Sequence, residues 1–582
     1  MQKEKSRKSL LTGMLFVVLS VLSVIGIWKT IYFSADIDES YALTMAVRIA
    51  SGDRMLLEMW EPHQMSAVLY APLVACYKGI TGSMEGALVF MRICGLVVQT
   101  RVSLFLYRTI RSHMPAWLAM TLSFAYFNFT PKHIQSPEFS ILFYWAFMSL
   151  MLCLLRFAKK RKTGWMIGAG ISMSVIVLCY PSAVMLFVYA VLWMLFRKDD
   201  FGKKAAAIFA GICAACGVLF VGYLLISGGG IGIFENISAI LMDASHDQDM
   251  AAHLLVHLKG IWEMLYLVLA LIVLCHVGRP VFCKKKKTDA LFLGVLLLVT
   301  AVYAIYQFHT ISDVNFMIFY PVILQLFVVE WYAYASFPKD KTDTLFFEVC
   351  FPLTVVSVFA IMVSSNVLTS YSMSYFMPGV ILGTWQIYRV YARDMEEPKE
   401  TQKKESGAGK RRSYAWMAIL LLVCIMSQLL VARIFLVRFT STRKKNIFEP
   451  YYEVTHDVLK GIRLGDFDYI QYEAKTGLVD KYVKDGDMLL YVGADMYLYS
   501  QLEQSGIATG NTISTPAFGE QLVYYYEKNP ERIPTVVFVD REYGADFSQV
   551  LTTEPMKSFM ETYFDVDAAV MEPAVTVYTR ER

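Results

Sequence analysis

Apolar windows long enough to cross a bilayer recur about thirteen times between residues 11 and 437, and this recurrence limits the possible folds more than any other feature of the chain. Hydrocarbon offers no partner to a backbone N–H or C=O. Segments of this kind therefore have to be helices that satisfy their own hydrogen bonds. The first window, residues 11 to 31 (LTGMLFVVLSVLSVIGIWKTI), is longer than the apolar core of a signal peptide, about 7 to 15 residues, and no small-x-small cleavage site follows it. Further windows lie near 86 to 107, 115 to 129, 139 to 157, 164 to 180, 181 to 196, 205 to 226, 261 to 277, 289 to 308, 314 to 335, 344 to 363, 375 to 391 and 414 to 437. The stretch 164 to 196 exceeds one span of roughly 20 residues, and Pro181 breaks it. Composition agrees: 18% of residues are charged, against about 25% in soluble domains. Mean hydropathy is +0.45.

Loop charge sets the expected orientation. With the N-terminus (Lys3, Lys5, Arg7, Lys8) cytoplasmic, the basic connections at Arg108 and Arg111, Lys159 to Lys162, Arg197 to Lys204, Arg279 to Lys287, Lys339 with Lys341 and Arg393 to Arg412 all fall inside. The loops Ser227 to Lys259, Thr310 to Asn315 and Ser364 to Ser374 are poor in Lys and Arg and fall outside, as the positive-inside rule requires. An odd number of spans then exports the C-terminal tail. The polar run Glu396 to Arg412 reads as a disordered cytoplasmic connector.

Residues 438 to 582 change character. Strand-like runs at Met488 to Val492, Thr535 to Asp540 and Val575 to Tyr578 alternate with helical patterns around Tyr497 to Gln504 and Glu520 to Lys528. This predicts a small α/β domain. Tyr491-Val-Gly-Ala-Asp495 reads as a turn at a strand end, because a lone glycine is no phosphate-binding fingerprint. None of the ten cysteines lies in this tail, so no disulfide framework is expected there. The fold class is thus a polytopic α-helical membrane protein: a multi-span domain over 1–437 and a small extracytoplasmic α/β domain over 438–582.

The first outside loop, residues 32 to 85, carries Asp36, Asp38, Glu39, Glu58, Glu61 and His63. Asp38 to Ser51 reads as an amphipathic helix lying in the membrane interface, with Leu43, Ala46, Val47 and Ala50 on one face and the acids capping its N-terminus. Arg92 and Arg101 sit within the second span, where a charge is a functional hypothesis by default; Arg101, nearer the cytoplasm, is expected to snorkel. The second outside loop, 128 to 138, adds Lys132, His133 and Glu138. Acids and bases therefore gather on one side. Cys213 with Cys216, and His246, His253 and His257 beside Asp243, Asp247 and Asp249, have some ligand character. A membrane-buried thiol pair and an interfacial helix account for them more simply. Asn128 and Asn236 match the glycosylation acceptor pattern, which chance supplies often.

The run Asp38-Glu39-x-Tyr41-Ala42, then Gly52, Arg92 in the second span and Glu138 in the second outer loop resemble the GT-C superfamily of polytopic glycosyltransferases, in the branch of protein O-mannosyltransferases and aminoarabinose transferases. The motifs cover residues 1 to about 200, and the topology covers the whole chain. Trp60-Glu-Pro-His-Gln-Met-Ser66 departs from the Lys-Pro-Pro motif of aminoarabinose transferases, with His63 near the place of the phosphate-holding lysine. No WWD-type signature of oligosaccharyltransferases is present in the tail.

The resemblance implies a GT-C-like fold and a glycosyltransferase of the cell envelope. It implies transfer of one sugar from a polyprenyl-phosphate donor to a lipid, glycan or protein acceptor on the outer face, with inversion. A hydroxyl acceptor needs a general base, for which Asp38 is the candidate, with Glu39 beside it. The leaving phosphate needs a cation, from Arg92, Lys132, His133 or His63. Asp36, Tyr41 and Glu138 complete the substrate-binding set. Acids of this group have the hard oxygens for a divalent cation, and metal dependence stays open. The expected partners are the lipid-linked sugar, its acceptor and membrane lipids, with no nucleic acid. A transporter or lipid flippase is the alternative. Against it stand acids at the surface and no matched pair of broken helices. A membrane-anchored sensor is a third reading.

Overall fold

The computed structural model describes residues 2–197, 200–228, 230–241, 250–282, 287–310, 320–337, 339–364, 369–396, 433–434, 447–502, 506–541 and 547–580. Twelve of the apolar windows correspond to helices: Gln2–Tyr32, Ala87–Ile110, Ala116–Asn128, Phe139–Lys160, Thr163–Cys179, Val184–Phe196, Gly202–Gly228, Met250–Phe282, Lys287–Thr310, Tyr320–Ser336, Lys341–Ser364 and Met377–Glu396. The window at 414 to 437 lies outside the described residues apart from Arg433 and Ile434, as does the connector from 397 to 412. Among the described residues, six helices are both long and apolar enough to cross a membrane. The peripheral ones turn apolar side chains outward: on Gly202–Gly228, Val218 is 72% exposed and Ile226 is 86% exposed, which is the surface a lipid solvent leaves bare. The chain is an integral membrane protein.

Phe139–Lys160 is the central helix, with 78% of its apolar window buried. It forms a hairpin with Thr163–Cys179, which ends where Pro181 starts a single 3-10 turn before Val184–Phe196. Gly95, in the helix Ala87–Ile110, admits the 128–138 loop. A Cβ there would lie 1.7 Å from the Gln135 carbonyl oxygen, so any larger residue would push the loop off the helix. Arg101 is exposed on the same helix. Asn128 donates to Ser23 Oγ (2.7 Å) and Asn236 to the Leu56 carbonyl (2.9 Å); both are buried, which leaves neither amide available for glycosylation.

After residue 447 the chain builds two sheets. Strands β1 (Tyr451–Glu453) and β2 (Arg463–Gly465) pair antiparallel. Strands β3 (Leu489–Val492), β4 (Val536–Asp540), β5 (Val570–Met571) and β6 (Val575–Thr579) form a sheet in the order β3-β4-β6-β5. β3 and β4 run parallel, with Leu489 opposite Val536, and β6 runs antiparallel to β4. The helix Phe518–Lys528 falls between the parallel strands, as a crossover requires. Three strands and one helix match the sequence expectation closely. The pattern expected over 497 to 504 is instead a 3-10 helix over Met496–Gln501, with 503 and 504 outside the described residues, and β1, β2, β5 and the helix Asp466–Tyr482 were not anticipated.

One expectation is corrected outright. The helix Ile37–Ala50 does not lie with one face open to lipid and the other to water: every residue from Glu39 to Arg48 is buried. The C-terminal domain covers the face that was expected to be wet. Met496 N–H donates to Ser40 Oγ (3.2 Å), Thr44 Oγ1 donates to the Met496 carbonyl (3.0 Å), and the Tyr497 hydroxyl donates to the Asp36 carbonyl (3.1 Å).

Candidate active site between two loops

The site begins where the first helix ends. Asp36 is the N-cap of Ile37–Ala50 and accepts the Asp38 N–H at 2.9 Å, as short side chains with a free oxygen do at helix starts. From this cap the first turns of the helix send Asp38, Glu39 and Tyr41 in divergent directions. Glu39 turns inward, Asp38 turns toward the second loop, and Tyr41 enters the main apolar core.

Glu39 is committed to Arg92. The guanidinium donates from Nε (3.0 Å) and Nη2 (2.5 Å) to the two carboxylate oxygens, and Ser136 Oγ donates to Oε1 at 2.6 Å. The remaining Arg92 donors reach the carbonyls of Ile31 (2.9 Å) and Ser34 (2.7 Å). A planar fork that satisfies a carboxylate and two backbone carbonyls at once joins the first span, the helix Ile37–Ala50 and the second span in one knot. His133 borders the same small cavity as Glu39 and Arg92.

Asp38 meets Lys132. The ammonium contacts Oδ2, and the side chains are 14% (Lys132) and 19% (Asp38) exposed, so this pair is the part of the acidic cluster that solvent or a ligand can reach. Lys132 is held by unusual backbone. Both Lys132 (φ 55) and His133 (φ 56) are left-handed, a conformation that costs a residue with a Cβ about 1–3 kcal/mol and clusters at functional sites. The loop is braced from two sides. Tyr320 Oη accepts the Lys132 N–H (3.1 Å), and Arg433 donates to Thr130 Oγ1 (3.2 Å), the His133 carbonyl (3.4 Å) and Gln135 Oε1 (2.7 Å).

An aromatic wall continues from the pair. Lys132 Nζ lies 4.6 Å from the Tyr371 ring centroid and 5.8 Å from that of Phe139. His63 stacks on Phe139 with centroids 3.8 Å apart, and its Nδ1 is 3.4 Å from the Cys179 carbonyl oxygen. Glu138 is the N-cap of Phe139–Lys160 and accepts N–H groups from Ser140 and Ile141, both at 2.8 Å, and the Ser140 hydroxyl. Burial pushes its carboxyl above the usual range, against the pull of Lys132 and Ser140.

The structure therefore brings Asp38, Lys132, His63 and Glu138 around one wall and sets Glu39, Arg92 and His133 directly behind it. Glu58 and Glu61 stand apart with cations that sequence reasoning passed over. Arg48, fully buried, donates to Asp53 (2.7 Å), Glu61 (2.6 Å) and the Glu58 carbonyl (2.6 Å), and Arg532 from the C-terminal domain takes the other Asp53 oxygen at 2.6 Å. A basic residue in the last turn of a helix followed by acids was the available signal. His253 and His257 bond each other (3.0 Å), and no group of three or more His, Cys, Asp or Glu positioned for a metal occurs among the described residues. His246 and its neighbouring aspartates lie outside them.

No protein-family model and no curated protein matches the sequence. Among solved structures the chain is similar to ArnT from Cupriavidus metallidurans in the apo state, at 12% identity and a TM-score of 0.48 over 98% of each chain. It is also similar to ArnT from the same organism bound to undecaprenyl phosphate, at 12% identity and a TM-score of 0.45 over 97% of each chain.

Proposed function

We propose that this chain is a membrane glycosyltransferase of GT-C type that moves a single sugar from a polyprenyl-phosphate donor to an acceptor hydroxyl, with inversion at the anomeric carbon. The observation that carries the reading is the Asp38–Lys132 pair. It joins the one accessible carboxylate of the resembling motif to a cation, at the foot of an aromatic wall. Base and phosphate partner are what this displacement needs, and the pair holds them in contact until substrate separates them.

In the reaction, Asp38 takes the proton of the acceptor hydroxyl as its oxygen attacks the anomeric carbon. The bond from that carbon to the phosphate oxygen breaks, and the electron pair leaves with the phosphate. Lys132, released from Asp38 by the incoming phosphate, meets the charge that develops there. Glu39, Arg92 and Ser136 position the base by fixing the start of its helix. His63 and Phe139 offer flat surfaces beside the reacting centre. On this reading the N-terminus is cytoplasmic, and the two loops and the C-terminal domain face the outside of the cell membrane, where a lipid-linked donor is available.

The test is lipid mass spectrometry on cells carrying the wild-type chain, a deletion or Asp38→Asn. A sugar-linked polyprenyl phosphate that accumulates in both mutants supports the reading and gives the sugar from its mass. An unchanged lipid pool, with Asp38→Asn indistinguishable from wild type, overturns it.

A further inference from the structure

A cavity of about 240 Å³ lies between the acidic loop and the C-terminal domain. Ala35, Asp36 and Ile37 form its floor, and Ile37 immediately precedes Asp38. Its other wall is the unanticipated helix Asp466–Tyr482, which presents Asp468, Gln471, Tyr472 and Lys475, and the segment after β3, which presents Asp495 and Tyr497. This places it beyond the carboxyl ends of the parallel strands β3 and β4, where α/β sheets commonly take ligands.

The lining has a definite chemistry. Lys475, 1% exposed, gives its ammonium to Asp540 Oδ2 at 2.8 Å, and the Tyr491 hydroxyl bonds the same carboxylate. Buried lysines carry a large desolvation cost, and this one is neutralised by the last residue of β4 instead of by solvent. Asp36, Asp468 and Asp495 leave the cavity net acidic, which disfavours phosphate and other anions. Carboxylates accept from hydroxyls, Gln471 both donates and accepts, and Tyr472 and Tyr497 supply flat aromatic surface. Ligand pockets for drug-sized molecules run to about 300–1,000 Å³, so this one suits a smaller guest, about a single sugar ring.

We infer that this cavity is a saccharide-binding subsite, through which the C-terminal domain holds a neutral or aminated sugar of the acceptor next to Asp38. The inference rests on the transferase reading for its role, and its binding chemistry stands apart from that reading. Asp495, whose Oδ1 also accepts the Tyr497 N–H at 3.1 Å, and Gln471 are the residues assigned to the sugar hydroxyls.

The full chain in lipid nanodiscs, with methyl α-mannoside, methyl β-glucoside and glucosamine as separate probes, tests it by saturation-transfer NMR. At least one probe should show transfer, falling about tenfold in Asp495→Asn, the effect of one hydrogen bond to a charged group, and several-fold in Gln471→Ala, the effect of a neutral one. Gln471 is half-buried and its truncation spares the ion pair, so a thermal melt confirms that at least this variant is folded. Inorganic phosphate should not displace the sugar, and Asp38→Asn should leave the signal intact. No transfer to the wild-type chain from any probe, a signal that survives in both variants, or displacement by phosphate overturns the inference. Loss of sugar turnover in Asp38→Asn with an unchanged binding signal separates a failure here from a failure of the transferase reading.

Discussion

Arg92 Nε and Nη2 lie 3.0 and 2.5 Å from the two carboxylate oxygens of Glu39, 53 residues away in the chain. Both groups are nearly inaccessible, at 4% and 2%. The neighbouring carboxylate, Asp38, meets the Lys132 ammonium through one oxygen and is 19% exposed, within reach of a ligand, so two adjacent acids have opposite prospects under mutation.

Glu39→Gln should destabilise the protein by about 3–5 kcal/mol, because it strands a buried guanidinium. Asp38→Asn should leave the melting temperature close to wild type while lowering turnover about 10²–10⁴-fold. Thermal unfolding in detergent and a reconstituted transfer assay read the two effects. A large loss of stability in Asp38→Asn would show that the pair with Lys132 is structural.

Lys132→Met should lower turnover by about 10²–10³-fold, the cost of removing one stabilising charge from a developing anion. Lys132→Arg should recover part of it, since charge is kept and geometry is not. If methionine and arginine behave alike, the charge at this position has no part in the chemistry.

The bilayer explains why the helices could be read directly. A lipid solvent demands long apolar runs, and those windows found Ala87–Ile110 and Phe139–Lys160 within a few residues. It also singled out Arg92, since a guanidinium at that depth must have a partner. The pairing of Asp38 with Lys132 was not legible in the same way: 94 residues separate them, and only the fold of the second loop, with two left-handed residues, joins them. The cluster of Arg48, Asp53 and Glu61 gave no signal in the sequence, because Arg532, which completes it, lies more than 400 positions later. The helix Asp466–Tyr482, with Asp and Lys spread around its circumference, gave weak hydrophobic contrast.

The contact of Arg532 with Asp53 ties the C-terminal domain to the first loop. A double-mutant cycle on this pair should return a coupling of about 0.5–3 kcal/mol in thermal stability. Removing residues 450 to 582 should expose the 32–85 loop to protease as well as end activity. A loop that stays resistant in the truncated chain would mean that the membrane domain holds it unaided.

Burial lifts the Asp495 carboxyl above its ordinary value of 3.8, with Lys475 and the Tyr497 N–H opposing and Asp540 adding to the rise. The folded state then holds this proton more tightly than the unfolded chain. This group's contribution is most favourable below the unfolded value and is lost as pH rises through the raised one. The melting temperature of Asp495→Asn minus that of wild type should accordingly increase from pH 4 toward pH 7. A difference that is flat or falls over that range would show that Asp495 is not desolvated in solution.

The helix bearing Asp38 leaves the ribosome early, while its cover is among the last segments made. Ser40 and Met496, which hydrogen-bond each other, are 456 residues apart. At synthesis rates of about 5–20 residues per second, roughly 20 to 90 seconds pass between them. During that interval Arg48 and the acids around it wait without their lid. Completion of the chain thus acts as a clock on burial: a ribosome that stalls before residue 496 leaves Ser40 without the backbone partner that caps it in the finished fold.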